Sequence, residues 1–139
     1  YRHWGHDITD EETPLEGGLG FAIAWDKPGG FIGRDALLEQ KAGSLNKRLV
    51  QFQLNDPEPL LFHNEPIFRE GEIVGYMTSG MYGHHLGGAI GLGYVHDVGG
   101  VDTAYVNEGA FEVLVAGEMV SASASLRPLY DPKSERIKA

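Results

Sequence analysis

Between residues 49 and 126 the apolar side chains fall in short runs separated by glycine-bearing turns, and this spacing restricts the fold more than any other feature. In Leu49-Val50-Gln51-Phe52-Gln53-Leu54, every second residue from Val50 is apolar and faces one way, as in a half-buried strand. Ile67-Phe68-Arg69 and the run from Glu72 to Thr78 flank Glu70-Gly71, which predicts a hairpin. Residues 89–95, 111–116 and 119–126 are further runs, and the last two, joined at Gly117-Glu118, predict a second hairpin with a tight turn. Short strands at this spacing predict an antiparallel barrel or sandwich.

The first 46 residues have a different character. Thr9 to Pro14 is an acidic loop in which Asp10 or Thr13 can cap a turn, with Pro14 at a first helical position. Phe21-Ala22-Ile23-Ala24-Trp25 has large side chains at alternate positions and predicts a short strand, broken by Asp26-Lys27-Pro28-Gly29-Gly30. Residues 33–41 are the best helix in the chain, rich in helix formers, with Lys41 in the last turn and Gly43 as a stop. Thr78-Ser79-Gly80 reads as a turn, and residues 134–139 read as a frayed tail. The boundary falls near residues 44–47, so the expected division is a mixed α/β piece, 1–46, and a β domain, 47–139.

The formal charge is −9, and Asn46-Lys47-Arg48 is the only basic cluster, so a nucleic-acid footprint is not expected. No apolar run approaches a membrane span, and no signal peptide is seen. There is no cysteine, hence no disulfide framework or thiolate chemistry. The chain opens at Tyr1 rather than Met, which suggests a piece of a longer polypeptide.

Residues 81–96, MYGHHLGGAIGLGYVH, invite a metal or nucleotide reading. Adjacent His84 and His85 point apart if on a strand, and neither HExxH nor a cysteine partner accompanies them, so no metal site is expected. The glycines do not match GxGxxG or a GKS/GKT ending. Gly91 and Gly93 share one strand face, where a backbone or side chain can approach closely. The opening residues Tyr1, Arg2, His3, Trp4 and His6 supply flat rings and cations suited to a planar heterocycle with an anionic tail; the alternative is that Tyr1 and Trp4 are core. Lys27, at a turn, is either a solvated side chain or the partner of a ligand carboxylate. No Ser-His-Asp arrangement with meaningful context is present.

Six stretches, YRHWGHDI, TPLEGGLGFAI, FIGRDALL, RLVQFQL, GEIVGYMTSG and AIGLGYV, occur in one order. Together they resemble the C-terminal end of glycine-cleavage T-protein-like aminomethyltransferases. YRHW, HDVGG and LYDPKSERIK look most like the folate-binding end of sarcosine and dimethylglycine dehydrogenases. The resemblance implies a mainly β fold: an antiparallel C-terminal barrel preceded by the tail of the folate-binding domain. It implies tetrahydrofolate as cofactor, shared with a missing N-terminal portion of the same polypeptide, and FAD only in that missing portion. It further implies that a one-carbon unit from an N-methyl amine is passed to tetrahydrofolate as 5,10-methylenetetrahydrofolate. Lys27 matches a basic position that meets the glutamate tail of folate, and Tyr130, in PLY, is placed to line the folate channel. Tyr1 and Trp4 would help build the pocket of a glutamate that lies upstream, and Glu16 would be structural. At the residue after Tyr130, where the family can carry a folate-contacting arginine, this chain has Asp131. No catalytic residue is carried over. The expected compartment is the cytoplasm of a bacterium or the mitochondrial matrix of a eukaryote. A plain T-protein and a non-catalytic barrel that docks a protein partner are the alternative readings.

Overall fold

The computed structural model describes residues 2–138. Two helices and six strands run in the order α1 (Arg34–Ala42), β1 (Lys47–Leu54), β2 (Pro66–Arg69), β3 (Glu72–Gly83), β4 (Gly88–His96), α2 (Thr103–Glu108), β5 (Phe111–Val115) and β6 (Glu118–Ser125). The strands close into an antiparallel barrel in the order β1-β4-β3-β2-β5-β6, with β6 returning to β1 through pairs such as Phe52 with Ala124. Closure removes the sheet edges, which would otherwise present unpaired backbone groups.

The core follows the alternation. Val50, Phe52 and Leu54 of β1 point inward with Ile67, Met77, Val95, Val113 and Val120. The Phe52 and Phe111 rings meet edge-on at 5.5 Å. Val101 and Val106, the latter on α2, join the same core. Asp102 caps α2, its side chain accepting from the Tyr105 N–H at 2.8 Å. This helix has no counterpart in the sequence reading. The close approach expected at Gly91 and Gly93 is present: a Cβ on Gly93 would lie 2.8 Å from the Tyr76 carbonyl oxygen and one on Gly91 would meet the Met77 methyl.

Three local readings are corrected. Residues 21–25 are not a strand; Gly20–Ala22 is a 3-10 turn, and the Phe21 side chain is 84% exposed with no neighbouring strand. Thr78-Ser79-Gly80 is not a turn but lies inside β3, which runs on to Gly83. The reversal comes instead at residues 84–87. The tail is hooked back rather than frayed as far as Ile137: the Asp131 carboxylate accepts from the backbone N–H groups of Glu135, Arg136 and Ile137 at 2.8, 3.1 and 3.4 Å, and Ala139 lies outside the described residues.

Residues 2–20 form a strap fastened to the outside of the barrel. Thr13 and Glu16 make a reciprocal capping box (Thr13 N–H to Glu16 Oε2, 2.9 Å; Glu16 N–H to Thr13 Oγ1, 3.2 Å), so Glu16 shapes the backbone. The Leu49 N–H of β1 donates to the Glu16 carbonyl at 2.8 Å. Glu12 accepts from Lys47 Nζ at 2.7 Å and from the Thr9 hydroxyl at 2.6 Å, and Lys47 also lies 4.6 Å from the Tyr94 ring centre. The Lys47 ammonium, followed by the Thr9 hydroxyl, lowers the Glu12 carboxyl from 4.5 to about 2. A carboxyl lowered on folding stabilises the fold above its unfolded pKa, and that stabilisation is lost as pH falls through the folded value. Acid titration should therefore weaken the strap between about pH 4.5 and 2. Glu12→Gln should remove about 1–2 kcal/mol at pH 7, solvent screening holding the figure down. Unfolding curves at pH 7 and pH 3 that shift equally for both proteins would refute it.

Candidate functional site

Two hollows meet on the outer face of β1, β3 and β4. One, of about 400 Å³, is lined by His3, Asp7, Gln51, Ser79, Met81 and Leu92 among others. The other, of about 170 Å³, is lined by Arg2, Leu49, Gln51, Leu92 and Arg127 among others. Gln51 and Leu92 belong to both, so the two form one groove. Gln51 reaches it because its neighbours Val50 and Phe52 fill the core, and alternation sends the residue between them outward.

The floor of the groove is held by Asp7, which is 1% exposed. Its Oδ1 accepts from the Thr78 hydroxyl at 2.6 Å and the Ser79 hydroxyl at 2.7 Å, and its Oδ2 from the His3 N–H at 2.7 Å. Adjacent residues of a regular strand face opposite ways. The register of β3 against β4 shifts between Met77 and Ser79, and this bulge lets Thr78 and Ser79 both reach Asp7. The Tyr94 hydroxyl donates to the Asp7 carbonyl at 2.9 Å. Burial, with Glu12 and Glu16 nearby, pushes that phenol well above its ordinary value, so it stays protonated as a donor.

One wall is cationic. The Arg2 guanidinium donates from Nη2 to the Gly18 carbonyl at 3.2 Å, while its Nε is buried without a partner. Gln51 also ties down the C-terminal segment: its Oε1 accepts from the Leu129 N–H at 2.7 Å. Next along, the Tyr130 ring packs on His85 with centres 4.7 Å apart. The Asp131 hook brings Arg136 back, and its Nη1 donates to the Tyr130 hydroxyl at 3.3 Å.

The residues singled out in the sequence are dispersed. Trp4 is not core: it is 68% exposed and its strap segment makes a single parallel bridge to Ile8. Tyr1 lies outside the described residues. Lys27 lines a separate hollow of about 460 Å³ before α1, with Gly30, Phe31, Gly33 and Arg34. His84 packs against Tyr82 and His85 against Tyr130, so the adjacent histidines go to different rings. Among the described residues no group of three or more His, Asp or Glu side chains is arranged to hold a metal. Sequence reading missed Asp7 and Gln51. The position of Gln51 on the polar face of a strand was the one available signal.

A closed six-stranded barrel carrying an N-terminal strap and a cationic groove defines the class of domain. The model of the glycine cleavage T-protein C-terminal barrel domain matches residues 47–131, and the chain belongs to that family. Among curated proteins it is 43% identical over 138 residues to the 4-methylaminobutanoate oxidase (formaldehyde-forming) of Paenarthrobacter nicotinovorans, covering 99% of this chain and 16% of that protein. It is 36% identical over 140 residues to human mitochondrial sarcosine dehydrogenase, covering 99% of this chain and 15% of that protein. Aminomethyltransferases are also among its relatives. In three dimensions it resembles the glycine cleavage system aminomethyltransferase T of Bartonella henselae, with a TM-score of 0.73 at 23% identity over 88% of this chain and 33% of that one. The chain thus spans about one sixth of the length of the first two relatives. No helix among the described residues is long and apolar enough to cross a membrane.

Proposed function

We propose that this chain is the folate-side C-terminal portion of a longer enzyme. In that enzyme a FAD-dependent part oxidises an N-methylated amino acid, and the released one-carbon unit passes to tetrahydrofolate. The observation that carries the reading is the extent of the match. The oxidase and the dehydrogenase align over 99% of the chain, strap and barrel alike. The relatives, a 4-methylaminobutanoate oxidase and a sarcosine dehydrogenase, favour small N-methyl amino acids as the substrate class. The compartment would be the bacterial cytoplasm or the mitochondrial matrix.

Groups suited to a folate's ring and to its anionic tail are present, in separate hollows. The ligand has a flat ring and an anionic glutamate tail. Arg2 presents a buried, unpartnered Nε–H to the groove, and Arg127 adds charge there. Lys27 and Arg34 flank the start of α1, a helix end without a side-chain cap, which also favours an anion. Lys27 acts as a point charge toward a carboxylate. Trp4 and Tyr130 offer exposed rings against which a planar group can lie. Tyr1 stands next to this set in sequence. When bound, tetrahydrofolate supplies the amine nitrogens that take up the one-carbon unit. This chain's residues orient it and screen one face from water, and the remainder of the pocket, with FAD, belongs to the preceding part of the polypeptide.

Calorimetry with folinic acid tests the proposal on the longer polypeptide and on residues 1–139. The longer protein should bind, and the chain alone should bind at least an order of magnitude more weakly. In the longer protein Lys27→Ala should weaken binding about tenfold, the equivalent of ~1.4 kcal/mol. Amine oxidation should be unchanged while the yield of 5,10-methylenetetrahydrofolate falls. Tight binding by residues 1–139 alone, or an oxidation rate that falls with the folate affinity, would overturn this assignment.

A further inference from the structure

On another side of the molecule, a hollow of about 270 Å³ lies between the C-terminal turn of α1 and the loop leading to α2; Gln40, Ser44, Arg48, Gly100 and Asp102 are among its lining residues. Three of them have hydrogen-bonding capacity that the protein leaves unused. Arg48 is partly buried, and its one side-chain hydrogen bond is a long one, Nη1 to the Val101 carbonyl at 3.3 Å. Among the described residues no carboxylate pairs with it within 4.0 Å. Burial lowers its pKa, and the opposite charge of Asp102 across the hollow offsets this only in part. The Gln40 Oε1 is a buried acceptor with no donor. Asp102 uses Oδ1 to cap α2 and has no protein donor on Oδ2.

We infer that this hollow is a binding site for a small zwitterionic amino acid, its carboxylate on Arg48 and its ammonium between Gln40 Oε1 and Asp102. The charge pattern selects this class. A simple anion satisfies Arg48 but leaves Gln40 Oε1 without a donor and faces Asp102. A simple cation satisfies Gln40 and Asp102 but faces Arg48 and Lys41, the latter held at the rim 4.3 Å from the Trp25 ring centre. A molecule that carries both charged groups on one carbon satisfies all three groups at once. The end of α1 reinforces the polarity, since its last carbonyls favour the ammonium. Buried polar groups are rarely left unpaired, and Gln40 Oε1 is one such group; the half-buried Arg48 and the exposed Asp102 stand beside it at the same hollow with capacity to spare, and together the three point to a shared occupant. The inference does not depend on the folate proposal, which concerns the groove and the start of α1.

The test is a titration of the ¹⁵N-labelled 139-residue chain with glycine, acetate and methylammonium in parallel. Glycine should give saturable shifts at the amides of Ser44, Gly100 and Asp102, with acetate and methylammonium each at least tenfold weaker. Arg48→Gln should abolish the response. Gln40→Ala, on a helix surface where folding is preserved, should weaken glycine several-fold. The inference fails if glycine produces no saturable shift, if acetate matches it, or if Gln40→Ala leaves its affinity unchanged.

Discussion

Gly75→Ala is expected to cost about 3 kcal/mol or more, enough to lower the melting temperature by about 10 °C. Gly75 lies in β3 opposite Ile67 of β2 on one side and Val95 of β4 on the other. A methyl group there would overlap the Tyr94 carbonyl oxygen and stand 2.8 Å from its carbon. The obstacle is backbone that is itself hydrogen-bonded in the barrel, so no rotamer change relieves it. A comparable substitution at Gly91 meets the terminal methyl of Met77, which can move, and the Ser79 carbonyl oxygen at 2.9 Å, a milder backbone overlap than at Gly75, and should cost less. The register slip at Ile67/Phe68 explains the crowding: β3 holds one extra residue, Val74, and the twist it adds drives Gly75 onto β4. Thermal unfolding of both variants checks the ranking. Equal stability of Gly75→Ala and the unmodified chain would mean that β3 and β4 do not approach as described.

The barrel was legible because its signal is local. Val50, Phe52 and Leu54 alternate with Leu49, Gln51 and Gln53, and the alternation alone places the first three inside. The same rule failed at Phe21, Ile23 and Trp25, since alternation specifies a strand only where a neighbour is available to pair. The turn expected at Thr78-Ser79-Gly80 failed for a related reason. Small hydroxyl residues favour turns when they bond to nearby backbone. Here both hydroxyls are claimed by Asp7, more than seventy residues earlier in the chain. Helix α2 is six residues long, and its one clear mark is the capping residue Asp102. The candidate site was less legible than the fold. Trp4 and Lys27 were suggested by residue type and position, each beside a bland alternative, and Tyr130 through family resemblance alone, whereas the groove depends on which strand faces the strap, a property of the closed barrel.

The strap is a separate structural question from the barrel, and Asp7→Ala isolates it. Asp7 is the buried charged residue that joins the two, and its carboxylate accepts from His3, Thr78 and Ser79. Hydrogen bonds to a charged acceptor contribute more than neutral ones, and truncating the acceptor strands its donors. Thr78 keeps an alternative acceptor, the Leu92 carbonyl at 3.1 Å, but Ser79 and the His3 N–H lose theirs. The expected loss is about 2–4 kcal/mol, smaller than the sum of three bonds because the site can relax or admit water. Asp7→Asn, which keeps the shape and one acceptor oxygen, should lose about half as much. The loss should also be local. The barrel core contains no strap residue, so strands β1–β6 should persist while the strap releases. Hydrogen exchange would then show faster exchange at the Gly5, Asp7 and Leu49 amides, whose acceptors lie in or on the strap, with slow exchange retained at Val95 and Val113. Uniform acceleration across the barrel would instead make Asp7 part of the barrel's own folding unit. If no amide exchanges faster, the buried carboxylate does not hold the strap. The groove itself supplies the second readout. His3 lines it and Arg2 is the next residue, so releasing the strap removes its cationic wall. In the longer polypeptide Asp7→Ala should therefore weaken folinic acid binding more than Lys27→Ala does, because it displaces several contacts together.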